Sequence, residues 1–217
     1  MRILQLDPQS IALRARASST SAPSLNESLL RGMLGFTLVS VAGFAPWALA
    51  GRWLQHHLGE VGLYAVCLLV FLGLSGPALH RLLIGPGSLA RFSALFACGF
   101  SLYAAAWTSA WMLLGGHAGS LLGLGTGTAL LAATLAFTFG VRSQWAAIFA
   151  LLFTLNSGGY FLGGLLANHL PGISGKLLWG LCYGLGFGAG LGSAFFVCQS
   201  KARSLLNSAV SPHASGK

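Results

Sequence analysis

The stretch GLCYGLGFGAGLGSAFF, residues 180–196, places glycine at 180, 184, 188 and 192, and again at 186 and 190. In a water-exposed helix each interior glycine costs about 1 kcal/mol relative to alanine, so glycine at this density would melt the segment. In lipid the balance differs. Little hydrophobic force draws helices together there, and association relies on small residues that let backbones approach closely. Gly180, Gly184, Gly188 and Gly192 make three consecutive small-xxx-small steps along one stripe, and Gly119, Gly123 and Gly127 repeat the pattern upstream. Both stripes predict close helix packing inside a membrane, against a helix of the same chain in preference to a second subunit.

Composition sets the same context. Of 217 residues, 55% are hydrophobic and 7% charged, against roughly 25% charged in soluble domains. Apolar runs of about 20 residues, enough to cross a ~30 Å hydrocarbon core, recur over residues 29–50, 61–84, 92–114, 121–140, 145–167 and 176–198. Short connections separate them: GRWLQHHLGE, GPGSLAR, GGHAGS, VRSQ and NHLPGISG. The expected fold is an all-α integral membrane protein of six transmembrane helices. Residues 28–199 form its membrane domain, with a polar cytoplasmic tail at 1–27 and a short one at 200–217.

Charge gives the orientation. The net charge is +9, but the basic residues are spread between the spans instead of forming a nucleic-acid patch. Arg2, Arg14, Arg16, Arg31, Arg81, Arg91, Arg142, Lys201, Arg203 and Lys217 fall on one predicted side, and only Arg52 and Lys176 on the other. The positive-inside bias then puts both termini in the cytoplasm. A bacterial inner membrane is expected. The Arg/Ser-rich, acid-poor first segment also fits an organelle transit segment, so an organelle membrane stays open. The partners expected are membrane lipid and either further copies of the chain or a membrane subunit.

Six spans divide three and three, and an odd number per half gives the opposed orientations of an inverted repeat. LGLSGP (72–77) and LNSGGY (155–160) place Ser-Gly interruptions at similar depths of spans two and five. Matched breaks of this kind point to a transport site, because backbone groups freed in lipid must face protein or a polar cavity.

Only three carboxylates are present, Asp7, Glu27 and Glu60, and none lies well inside a span. Carboxylate proton relays, magnesium-dependent lipid phosphotransferases and intramembrane aspartyl proteases all need buried acids and are disfavoured. GLSG at 73–76 resembles the serine motif of rhomboid intramembrane proteases. That family places the motif on its fourth core helix with a histidine on the sixth, whereas here it lies on span two and span six has no histidine. Cys67, Cys98, Cys182 and Cys198 lie within spans without a Cys-x-x-Cys pair. His56, His57, His117 and His169 are expected in outer loops near Glu60. No metal or cofactor site is expected from either set.

The chemistry that remains is uncharged. Ser40, Ser75, Tyr103, Asn156, Ser157 and Tyr183 are predicted near mid-depth, and Asn156 and Tyr160 share a helical face at i, i+4. Ser75, Tyr103, Asn156, Ser157, Tyr160 and Tyr183 are the six candidates to line a solute path. The layout is similar to that of small bacterial solute channels such as the urea and amide channel group, in architecture and not in motifs. The expectation is a permease or channel for a small uncharged solute, without carboxylate-based proton coupling. The alternative is a non-catalytic membrane subunit or assembly factor that docks a partner through its glycine-rich faces. Reporter fusions after residues 24, 87, 142 and 205 should read cytoplasmic, and those at 56, 117 and 170 external. Two or more reversed reporters would defeat this topology.

Overall fold

A computed structural model of the chain describes residues 4–18 and 22–210. Five of its helices are long and apolar enough to cross a membrane. Helix α1, Pro8–Ala17, and α2, Leu25–Leu79, come first. Then follow α3 (Ser88–Leu114), α4 (Gly116–Thr138), α5 (Trp145–Ala167), α6 (Ile173–Cys198) and α7 (Ser200–Val210). The membrane class expected from composition is therefore met.

The two spans expected at 29–50 and 61–84 form one 55-residue element. A capping box starts it: the Glu27 amide donates to Ser24 Oγ at 3.2 Å, and the Ser24 amide to Glu27 Oε2 at 2.8 Å. The helix then runs through the stretch expected as a loop, His56 and His57 included. Only Gly59 leaves helical geometry, at φ 70° and ψ 179°, a backbone state in which a side chain would be strained. Beyond it the chain folds back on itself. Phe36 stacks on Phe71 with ring centroids 5.7 Å apart, and the Arg31 guanidinium donates to the Arg81 carbonyl at 3.2 Å. The α2 element is thus two antiparallel arms, 25–58 and 60–79.

Sequence neighbours pack side by side, and α6 closes against the first arm of α2, so six helical rods form a ring. Its axis is filled by Phe36, Phe71, Phe96, Phe100 and Phe187, which contact one another across it. The outer surface carries Leu34, Leu38, Leu69 and Leu113, all largely exposed, as a lipid-facing surface requires.

Both glycine stripes face helices within the chain. A Cβ at Gly184 would stand 2.6 Å from the Thr37 Cα, and one at Gly188 or Gly192 would collide with the backbone of Gly32 or Ser28. The opposite face of α6 meets α5, where Gly186 lies against Gly159 and Leu155. On α4, Cβ atoms at Gly119, Gly123 and Gly127 would come within about 3 Å of the α3 backbone at Ala110, Trp107 and Tyr103.

The Ser-Gly interruptions do not break their helices. The second arm of α2 stays helical through 72–77, Pro77 included, and α5 through 155–160. Around 157–159, Gly159 is occupied by close contact with Gly186, and Gly158 opens onto empty space. Gly76 and Gly159 serve close packing while Gly73 and Gly158 face open space, and both helices run on through the Ser-Gly pairs, which corrects the expectation of a break.

The described part of the expected N-terminal tail folds. Asp7 caps α1 by accepting from the Ser10 amide at 3.0 Å, and Ser10 holds the Asp7 carboxyl below its usual range. Leu6, Ile11 and Ala15 are buried in the main core, and Arg16 donates to the Leu205 carbonyl of α7 at 2.6 Å. Hydrophobic composition alone hid this, because α1 buries only one narrow side.

Gly188→Ala should destabilise the purified protein by about 1–3 kcal/mol, since one methyl meets fixed backbone on α2. Gly73→Ala, which meets nothing within 4 Å, should be neutral or stabilise by up to about 1 kcal/mol. Thermal unfolding in detergent measures both.

Candidate functional site

Three uncharged side chains meet within the ring. Tyr103 continues the inward face of α3 that carries Phe96 and Phe100, and Asn156 lies one turn before Tyr160 on α5. Tyr183 precedes Phe187 by one turn on α6. The Asn156 amide nitrogen donates to the Tyr103 hydroxyl oxygen at 3.1 Å, and the Tyr183 hydroxyl donates to the same oxygen at 3.2 Å. Asn156 is fully buried, and its carbonyl oxygen has no partner. The Asn156 amide thus uses one of its two polar ends, and the other lies unmet in a dry interior, where such groups are costly.

Tyr160 extends this polar region toward the end of the ring that carries Arg52 and Lys176. Its hydroxyl pairs with Ser120 Oγ at 3.2 Å, and Ser120 donates to the Gly116 carbonyl at 3.0 Å. The Tyr160 ring contacts Trp179 at 5.2 Å, Trp107 at 6.0 Å and Tyr183 at 6.4 Å between centroids. The indole nitrogens of Trp107 and Trp179 are buried without partners. Farther out, the Tyr64 ring meets Trp107, and its hydroxyl donates to Glu60 at 3.0 Å. The half of the ring interior on this side is thus lined by rings that each carry a polar tip.

Four of the six predicted polar residues belong to this region: Tyr103, Asn156, Tyr160 and Tyr183. Ser157 follows Asn156 but bonds to none of them, and its hydroxyl has no partner. Ser75 is also buried and unpartnered, on the second arm of α2 one turn past Phe71, and makes no bond to the cluster. Ser120, Trp107 and Trp179 were missed by the sequence reading. Trp107 was accessible to it, since it lies four residues after Tyr103 and so on the same face of α3.

At the end that carries Arg52 and Lys176, His57 bonds its own helix through the Trp53 carbonyl at 2.8 Å. His117 lies inside α4, because Gly115 alone joins α3 to α4. The four cysteines are free thiols.

No family model matches the chain, and no curated protein or solved structure matches it either.

Tyr103→Phe would strand two buried donors at once and should cost about 1–3 kcal/mol of stability for each. Asn156→Leu removes a donor and an unpartnered acceptor together, at similar side-chain volume, and should leave stability within about 1 kcal/mol of the parent. Thermal unfolding of the two variants compared with the parent checks this order. A larger loss for Asn156→Leu would mean that its amide is chiefly a packing bond.

Proposed function

We propose that the Tyr103–Asn156–Tyr183 cluster binds a small neutral polar solute, and that the protein is a permease or channel for such solutes. One observation carries this reading: the fully buried Asn156 amide, bonded to Tyr103 at one end, has no partner at the other. A ligand that brings a hydrogen-bonding group of its own, as an amide, a urea or an alcohol does, satisfies it. A charged solute finds no counter-ion there, because Glu60 pairs with Tyr64 near the outer end while Asp7 and Glu27 cap helices elsewhere. The two unpartnered indole nitrogens on the approach supply further donors.

In this reading the two arms of α2 each cross the membrane, making six crossings. Described basic residues that gather around the α1–α7 end, Arg14, Arg16, Arg31, Arg81 and Arg91 among them, support placing both termini in the cytoplasm of a bacterial cell. Solute enters from the Glu60–Tyr64 end. The Phe36, Phe71, Phe100 and Phe187 rings below the cluster fill the axis, so onward passage requires them to move aside. The accessory-subunit reading relied on glycine faces for docking. Those faces are occupied by α2, α3 and α5 of the same chain, which favours the solute reading.

Proteoliposomes under an osmotic gradient of urea, acetamide or glycerol test the proposal. Solute flux above empty vesicles is expected, independent of an imposed pH gradient, and Asn156→Leu should reduce it at least tenfold per folded protein. Normal flux in that variant, or none in the parent with any of the three solutes, would sink the assignment. So would a stoichiometric membrane partner that co-purifies and is needed for folding.

A further inference from the structure

At the opposite end of the bundle, the turn between α2 and α3 borders a half-open cavity of about 200 Å³ lined by Pro23, Arg31, Arg81, Ile84, Gly85 and Ser88, among others. This is smaller than a drug-sized pocket and has room for a compact head group. Two guanidinium groups border it, and no carboxylate lines it; the Glu27 carboxylate is within charge–charge reach of Arg31. The nearest acid, Glu27, one turn before Arg31, is bonded to the Ser24 amide. Arg31 spends one N–H on the Arg81 carbonyl, and the Arg81 side chain makes no hydrogen bond among the described residues. Ser88 opens α3, whose N-cap, Gly87, gives that terminus no side-chain cap, and the Ser88 hydroxyl pairs with His80 Nδ1 at 2.9 Å.

Positive charge also crowds the turn from behind. Arg91 donates to the carbonyls of Pro86 and Gly87, each at 3.0 Å, and Gly85 packs on Arg14 and Ala15 of α1. Burial, and then the nearby Arg91 charge, lower the Arg14 pKa. An anion in the cavity would relieve this repulsion. Its source is indicated by what lies beside the cavity. Leu34 and Leu38 follow Arg31 at i+3 and i+7 on the same face of α2 and are 64% and 73% exposed. They form an apolar track that starts at the guanidinium and runs toward the membrane interior.

We propose that this cavity binds the phosphate of an anionic phospholipid, with Arg31 and Arg81 as its contacts and an acyl chain lying along Leu34 and Leu38. Basic pockets at cytoplasmic helix ends hold such head groups through charge and hydrogen bonding together. The site is separate from the solute cluster and does not depend on the transport reading.

Thermal unfolding of delipidated full-length protein in detergent, titrated with phosphatidylglycerol, phosphatidylcholine or inorganic phosphate, tests it. Saturable stabilisation by phosphatidylglycerol is expected, with little from the other two. The double change Arg31→Gln with Arg81→Gln should raise the half-saturating concentration about thirtyfold, roughly fivefold per arginine. Arg142→Gln, at the same end but outside the cavity, should leave it unchanged. Should the double variant not fold, Arg81→Gln alone carries the test, because its side chain holds nothing else in place. An equal response to phosphatidylcholine, or an unshifted titration in the arginine variants, overturns the proposal. Saturation by inorganic phosphate at the same concentration overturns the lipid assignment.

Discussion

The fold depends on one constraint: α6 must touch backbone on two sides. Its Gly184, Gly188 and Gly192 lie on Thr37, Gly32 and Ser28 of α2, and Gly186 lies on Gly159 of α5. Neither contact tolerates a Cβ, so α6 joins the first arm of α2 to α5 at a separation that larger residues cannot reach. That contact closes the ring, since the other adjoining rods of the ring are consecutive in the chain. Lipid supplies little hydrophobic force for closure. Dispersion between tightly apposed backbones, supplemented by bonds such as Ser40 to the Gly180 carbonyl at 2.6 Å, does the work instead.

Close backbone contact at the rim determines what fills the axis. With α6 drawn in, Phe187 and Tyr183 project into the space bounded by Phe36, Phe100 and Tyr103, and the rings meet in stacked, tilted and edge-on pairs with centroids 4.9 to 6.1 Å apart. The interior is therefore divided by depth. Phenylalanine dominates toward the α1–α7 end, and tyrosine, tryptophan and asparagine toward the other. Each half is formed by residues spaced one turn apart on the same helices: Phe96, Phe100, Tyr103 and Trp107 on α3, and Tyr183 and Phe187 on α6.

Much of this was legible in the sequence because it follows from periodicity. Glycine every fourth residue at 180–192 and 119–127 marked the packing faces, and the i, i+4 pair Asn156 and Tyr160 marked the inward face of α5. Three features escaped for identifiable reasons. Glycine next to serine reads the same whether it breaks a helix or admits a neighbour, so Gly159 suggested a break where α5 is continuous. The loop expected after residue 50 is helical up to Leu58, because QHHL carries no stop signal before Gly59. The α1 helix is polar on average and buries only Ile11, Ala12 and Ala15, too narrow a stripe to stand out against its Arg and Ser residues. The meeting of Tyr103 with Asn156 and Tyr183, from three separate helices, is a tertiary fact that no local pattern contains.

Scarcity of acids ties the two ends of the molecule together. Asp7 and Glu27 are used as helix caps that also lie near Arg14 and Arg31, and Glu60 serves Tyr64 at the other end, so the arginines around the α2–α3 turn outnumber the acids beside them. Guanidinium groups in excess of their acids are stabilised when the surroundings supply anions, and at a membrane surface those are head groups. The interior faces the reverse condition: with no carboxylate among its lining rings, its polar groups are met by hydrogen bonds alone. The same three-carboxylate composition thus leaves an excess of positive charge at one end and an uncharged interior.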